Sequence, residues 1–169
     1  MVNATDILNA SILIVDDQNA NVLLLEQMLD RAGYHGITST RDPGKVCELH
    51  CQNHYDLILL DLLMPGTDGF QVMAGLKAIE TDSYVPVIVI TVQSEHKLRA
   101  LEAGAKDFIS KPFHLDEVTT RIHNILEVRL LYKENRELQQ GTGTDRTGCH
   151  PAPNFDPAME LNRHTTMTH

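Results

Sequence analysis

A doubly wound α/β fold, five parallel strands with helices on both faces, is what this 169-residue sequence predicts. Three observations point to it. Strand-like runs alternate with helix-like ones from residue 11 to about residue 139. Three of the strand-like runs are apolar without interruption, which means burial on both faces of a parallel sheet. Two others are more polar, as the edges of such a sheet are.

The elements follow in order. "ILIV" (12–15) reads as the first strand. "ANVLLLEQMLDRAG" (20–33) has helical spacing and closes on Gly33, a residue suited to a helix C-terminus. "GITST" (36–40) is an edge strand, and "GKVCELHCQNH" (44–54) a second helix. "LILL" (57–60) is central, and "GFQVMAGLKAIE" (69–80) is helical. "VPVIVIT" (85–91) is the third central strand, followed by the helix "SEHKLRALEAG" (94–104) with Gly104 at its cap. "KDFIS" (106–110) is the second edge, and a long helix starts at Leu115. With the strands beginning at Ile12, Leu57 and Val85 inside, the order is 2-1-3-4-5, the flavodoxin-like arrangement with right-handed crossovers.

Composition narrows the function. The chain is 42% hydrophobic and 22% charged, enough for one globular core. A net charge of −9 with no offsetting basic stripe argues against nucleic acid as a partner. No apolar run reaches the length of a membrane span, and "MVNATDILNA" lacks the basic residues and cleavage pattern of a signal peptide. Three cysteines, an odd number, fit a reducing cytoplasm rather than a disulfide framework.

Ligands of such sheets bind beyond the carboxyl ends of the strands. Asp16 and Asp17 follow the first strand, Asp61 ends the third, Thr91 ends the fourth, and Lys111-Pro112 follows the fifth. Two carboxylates about 4 Å apart repel by roughly 4 kcal/mol at an effective dielectric of about 20. Three of them on one rim call for a cation. Oxygen ligands from few protein groups suit Mg²⁺, which favours company with a phosphate. With the ion bound, Asp61 can remain an anionic nucleophile toward a phosphoryl group. The Lys111 ammonium and Thr91 hydroxyl then stabilise charge on the phosphoryl oxygens.

"VDD" (15–17), "LLDLLMPGTDG" (59–69), "IT" (90–91) and "KPF" (111–113), in that order, resemble the receiver domain of two-component response regulators. The resemblance covers about residues 11–128. It implies that Asp61 accepts a phosphoryl group from a histidine kinase or phosphotransfer protein. It also implies Mg²⁺ bound by Asp16, Asp17, Asp61 and the backbone carbonyl of Leu63, with Thr91 and Lys111 on the phosphoryl group. Phe108 matches the aromatic position that moves inward with Thr91 on activation, and the Lys111-Pro112 bond is expected to be cis. Coupling would run through Thr91 and Phe108 to the 94–123 face, switching contact with a downstream protein target. Only self-catalysed phosphorylation and dephosphorylation are implied, not turnover of a substrate.

Leu63, Val92 and Gln93 depart from the commoner residues of that pattern. Leu63 cannot orient water and Val92 narrows its access, so slow hydrolysis of phosphorylated Asp61 is expected. A phosphatase of the haloacid-dehalogenase type also uses Asp, Mg²⁺, Thr and Lys. It needs a second Asp two residues after the nucleophile, where this chain has Leu63. A degenerate, phosphorylation-independent receiver is disfavoured by the complete set of acids, Thr and Lys.

Cys47, His50, Cys51 and His54 share a helical stripe, but it spans about 10 Å of rise, too long for one tetrahedral ion. Val46 and Leu49 mark the packing face there, so the stripe reads as a partly exposed flank. The last helix, from Leu115 to Leu138, runs about 36 Å against roughly 17–20 Å for a typical strand. Residues 129–140 therefore read as an extension. Leu130, Leu131 and Tyr132 would be exposed on it together, which suggests a homodimer contact through this helix, with the 94–123 face as a second candidate. Residues 141–169, including Cys149, His150, His164 and His169, read as a disordered tail without fixed metal geometry. No output domain is recognisable after the receiver.

Overall fold

The computed structural model describes residues 1–79, 85–92 and 94–141. Gln93 and the tail beyond Gly141 lie outside the described residues, with its cysteine and histidines. A short helix α1 (Ala4–Leu8) precedes β1 (Ser11–Val15), α2 (Asn19–Arg31) and β2 (Gly36–Thr40). A 3₁₀ turn (Pro43–Lys45), α3 (Val46–Asn53) and β3 (Leu57–Asp61) follow. Two short strands, β4 (Leu63–Met64) and β5 (Thr67–Asp68), pair antiparallel just after β3. Then come α4 (Gly69–Ile79), β6 (Val87–Thr91), α5 (Ser94–Glu102), β7 (Asp107–Ser110) and α6 (Leu115–Gln140).

The five main strands are all parallel in the order β2-β1-β3-β6-β7. Leaving out the β4–β5 hairpin, this is the expected 2-1-3-4-5. The apolar runs behave as their composition requires. Every residue of β3 and β6 is buried, while β2 has no buried residue and β7 only Ile109. Alternate residues of each central strand enter separate cores. Ile12, Ile14, Leu57 and Leu59 join α2 and α6 on one face. Leu13, Val15, Ile58 and Leu60 join α3, α4 and Ala100 of α5 on the other. Each of these side chains, fully enclosed, contributes about 1.5–3 kcal/mol of burial free energy.

Gly33 and Gly104 take the positive φ values (90° and 106°) of helix C-termini. Element edges shift by no more than two residues from their sequence-based bounds. The helix read from Gly44 opens as a 3₁₀ turn with Asp42 accepting from the Gly44 N–H at 2.9 Å. Val85 and Pro86 are buried but lie ahead of β6.

Two readings change. His50 departs from the partly exposed flank read for its stripe: it is 4% exposed, its ring stacked on Tyr55 at 6.2 Å. Cys47 and Cys51 are half-buried, and His54 turns outward as a left-handed cap (φ 51°). Leu130 is likewise half-buried against the core rather than exposed with Leu131 and Tyr132. The reason is α1, which sequence periodicity did not reveal. It packs on α6, and the Met1 amino group pairs with Glu134.

Among the described residues, no helix is long and apolar enough to cross a membrane.

Candidate functional site

Parallel register builds the site. Val15 lies opposite Leu60, which brings the following residues Asp16 and Asp61 side by side. Asp61 lies opposite Ile90, so Thr91 comes next along the same rim. Thr91 lies opposite Ser110, which hands Lys111 to the rim in turn. The Lys111 N–H donates to the Thr91 carbonyl at 3.1 Å, and the Lys111-Pro112 bond is cis.

The lysine meets two of the acids. Lys111 Nζ donates to Asp16 Oδ2 and to Asp61 Oδ2, each at 3.2 Å. Asp16 and Asp61 are buried, and Lys111 is 17% exposed at its side chain. The other oxygen of each acid takes a backbone donor. Asp16 Oδ1 accepts from the Gln18 N–H at 2.8 Å, and Asp61 Oδ1 from the Leu63 N–H at 3.2 Å. Burial pushes the Asp61 carboxyl above the usual carboxylate range, and Asp16 adds to the rise, while Lys111 and the Leu63 N–H pull it back.

Asp17 is different. Its Oδ1 is buried and has no hydrogen-bond partner. It does not cap α2, whose N-cap is Gln18 without a side-chain bond. Carboxylate oxygens of Asp16, Asp17 and Asp61 all lie within 4.8 Å of one another. Among the described residues this is the group of potential ligands that could hold one ion, and the Cys47–His54 stripe is not such a group. An oxygen-only donor set with one unsatisfied buried oxygen fits a hard divalent cation.

The loop after Asp61 forms the β4–β5 hairpin around Pro65 and Gly66, the latter at φ 80°. Asp68 Oδ1 then accepts from the Phe70 N–H at 3.0 Å, fixing the start of α4. Gly69 has a role that sequence reading did not assign. A Cβ there would sit 2.9 Å from both the Asp61 carbonyl oxygen and Leu62 Cα, so only glycine lets α4 start this close to Asp61. Leu63 and Val92 stand at the mouth, 43% and 60% exposed.

Phe108 lies outside the acid–lysine cluster. It is half-buried on β7, with Lys97 Nζ 4.6 Å and Arg121 Cζ 5.3 Å from its ring centroid. Arg121 is held by Asp107 at 2.7 Å and Glu117 at 3.2 Å.

An acid trio and one lysine at the carboxyl rim of a flavodoxin-like sheet define a class, a site at the switch point where ligands of such sheets bind. The chain matches the response regulator receiver domain family over residues 12–123 and belongs to that family. It is 36% identical over 132 residues to the response regulator PleD of Caulobacter vibrioides, covering 77% of this chain and 29% of PleD. It is 37% identical over 117 residues to the transcriptional regulatory protein ResD of Bacillus subtilis, covering 68% of this chain and 47% of ResD. The chain thus spans less than half the length of either relative.

Among solved structures, a putative response regulator from Chloroflexus aurantiacus superposes with a TM-score of 0.63 at 30% identity, over 70% of this chain and 98% of that one. The receiver domain of the sensor histidine kinase PA1611 from Pseudomonas aeruginosa gives 0.64 at 29% identity, over 70% and 98%. That structure has a magnesium ion coordinated in its active-site cleft.

Proposed function

We propose that this receiver domain is an Mg²⁺-dependent phosphoacceptor that switches a protein–protein surface. The observation that carries it is Asp61, buried at the rim with Lys111 Nζ 3.2 Å from Oδ2 and two further acids beside it. A carboxylate oxygen of Asp61 attacks phosphorus, the bond from phosphorus to the donor nitrogen of a histidine kinase or phosphotransfer protein breaks, and the nitrogen keeps the electron pair. No general base is required, because an ionised carboxylate has no proton to lose. Lys111 and Thr91 meet the charge on the transferred oxygens, and Asp16 and Asp17 with Asp61 and the Leu63 carbonyl hold the cation. Mg²⁺, when bound, neutralises charge on the phosphoryl oxygens and keeps Asp61 ionised.

The product state attracts Thr91 toward the phosphoryl oxygens, and Phe108 changes its packing between Lys97 and Arg121. This alters the 94–123 face that a downstream protein reads. Transfer and hydrolysis are both carried out on the protein itself, so the domain is a switch and not an enzyme acting on a released substrate.

Intact mass after incubation with acetyl phosphate tests the reading. A gain of one phosphoryl group that needs Mg²⁺ and is absent in Asp61→Asn is expected. The adduct should outlast seconds, because Leu63 offers no group to orient water. No adduct on the wild type would overturn the phosphoacceptor reading in favour of a phosphorylation-independent scaffold.

A further inference from the structure

The outer face of α6 carries a heptad stripe that the fold leaves uncovered. Val128, Leu131 and Leu138 are 68%, 43% and 72% exposed, and Asn135 is exposed between the two leucines. Their spacing of three, four and three residues is that of alternating a and d positions in a coiled coil. Packing of α6 on the sheet does not compete for them: Ile122, Leu126 and Arg129, the buried residues of this part of α6, point the other way.

We infer that a second copy of this chain docks on this stripe as a parallel, in-register coiled coil, with Asn135 opposite its own counterpart. The pattern favours a copy of the same helix over an unrelated apolar partner. Valine at a, leucine at d and one asparagine at a are the choices that specify a two-stranded parallel pair. The partners met across the seam then select the direction. The g positions are Glu127 and Glu134, and the e positions are the uncharged Tyr132 and Gln139. In a parallel pair g faces e, so each glutamate meets a hydroxyl or an amide of the other copy. In an antiparallel pair g faces g, so Glu134, which already holds the Met1 amino group, faces its own counterpart instead of an amide, and Asn135 is set against leucine.

The four layers span about 15 Å of helix, too short for an isolated coil to form. Here the helix is already formed, since its inner face is packed on the sheet and its middle on α1. Association therefore bears no helix-nucleation cost, and the dimer should be weak but specific. The inference stands on α6 alone and does not depend on phosphate chemistry at Asp61.

Sedimentation velocity of the full chain over a concentration series is the test, with wild type beside Leu131→Glu/Leu138→Glu. The wild type should pass from monomer to dimer, and the double variant should weaken dimerisation by roughly tenfold or more for each leucine lost. Both leucines are exposed in the monomer, so unchanged circular-dichroism melting is expected at concentrations where the wild type is monomeric, and serves as the folding control. In Asn135→Cys, mild oxidation should give a 135–135 disulfide identified by peptide mass. A wild type that stays monomeric at every concentration, or a dimer indifferent to the double variant, overturns the inference. Failure of the 135–135 link in a dimer that the glutamates do disrupt overturns the parallel register.

Discussion

Asp61 is held in a place that suits its chemistry and burdens its fold. Burial, then the neighbouring Asp16, raise its pKa above the ordinary value of 3.8 despite Lys111. The folded chain consequently keeps that proton to higher pH than the unfolded chain does. Between 3.8 and the raised value the native state binds more protons, so stability falls as pH rises, and the full penalty is present above that window. Asp61→Asn should therefore melt above the wild type at pH 7 without divalent cations, by about 2–4 °C for each kcal/mol relieved. The difference should shrink as the pH is lowered toward 4. Adding Mg²⁺ should raise the wild-type melting temperature more than that of the variant. Thermal melts across pH check this, and a variant that melts lower at pH 7 would mean that the Lys111 attraction outweighs burial.

Elements place that residue, and α4 approaches the end of β3 closely at Gly69. In Gly69→Ala the new methyl meets the Asp61 carbonyl oxygen and Leu62 Cα, both backbone atoms that cannot rotate away. A cost of about 1–3 kcal/mol is expected, together with slower phosphoryl uptake at Asp61 from acetyl phosphate. Denaturant unfolding and intact mass on the same sample measure the two effects. How much of this was legible differs by element. The central strands could be read because double-sided burial writes itself as unbroken Ile, Leu and Val. Asp16, Asp61 and Thr91 could be read because each stands at the end of such a run, whereas Lys111 follows a polar edge strand and could be read only from its place in the order of motifs. Helix α1 could not be read from periodicity, as five residues hold barely more than one turn. Its local signature was present all the same: Asn3 accepts from the Asp6 N–H at 3.0 Å, and Asp6 accepts from the Asn3 N–H at 2.8 Å. The burial of His50 depends on Tyr55 and on the packing of α3, which no local pattern reports.

For the molecule as a whole, the two ends of the sheet have different work. The carboxyl end carries the acids, and the amino end fastens the long helix. Asp56, just ahead of β3, is 6% exposed and accepts from the Ser11 N–H and hydroxyl at 3.1 Å each. It also accepts from Lys133 Nζ at 3.3 Å. That lysine lies 77 residues away in sequence, which is why the anchor was not legible there. Asp56→Ala strands the Ser11 donors and should cost about 1–3 kcal/mol. Lys133→Ala removes a partner that is 46% exposed and should cost about 0–1 kcal/mol. Urea unfolding of the two variants side by side checks the ordering, and equal losses would show that the lysine carries the anchor.

Lys111 reaches back 50 residues to Asp61 and 95 to Asp16. Loop closures of that length are the slow part of building a parallel sheet. The edge strand β7 must dock before the ammonium arrives, and until then the Lys111 ammonium cannot sit between the two acids. The cluster is thus complete only when the last strand is in register beside β6. A chain whose last strand is out of register would leave Asp16 and Asp61 side by side without the cation they share.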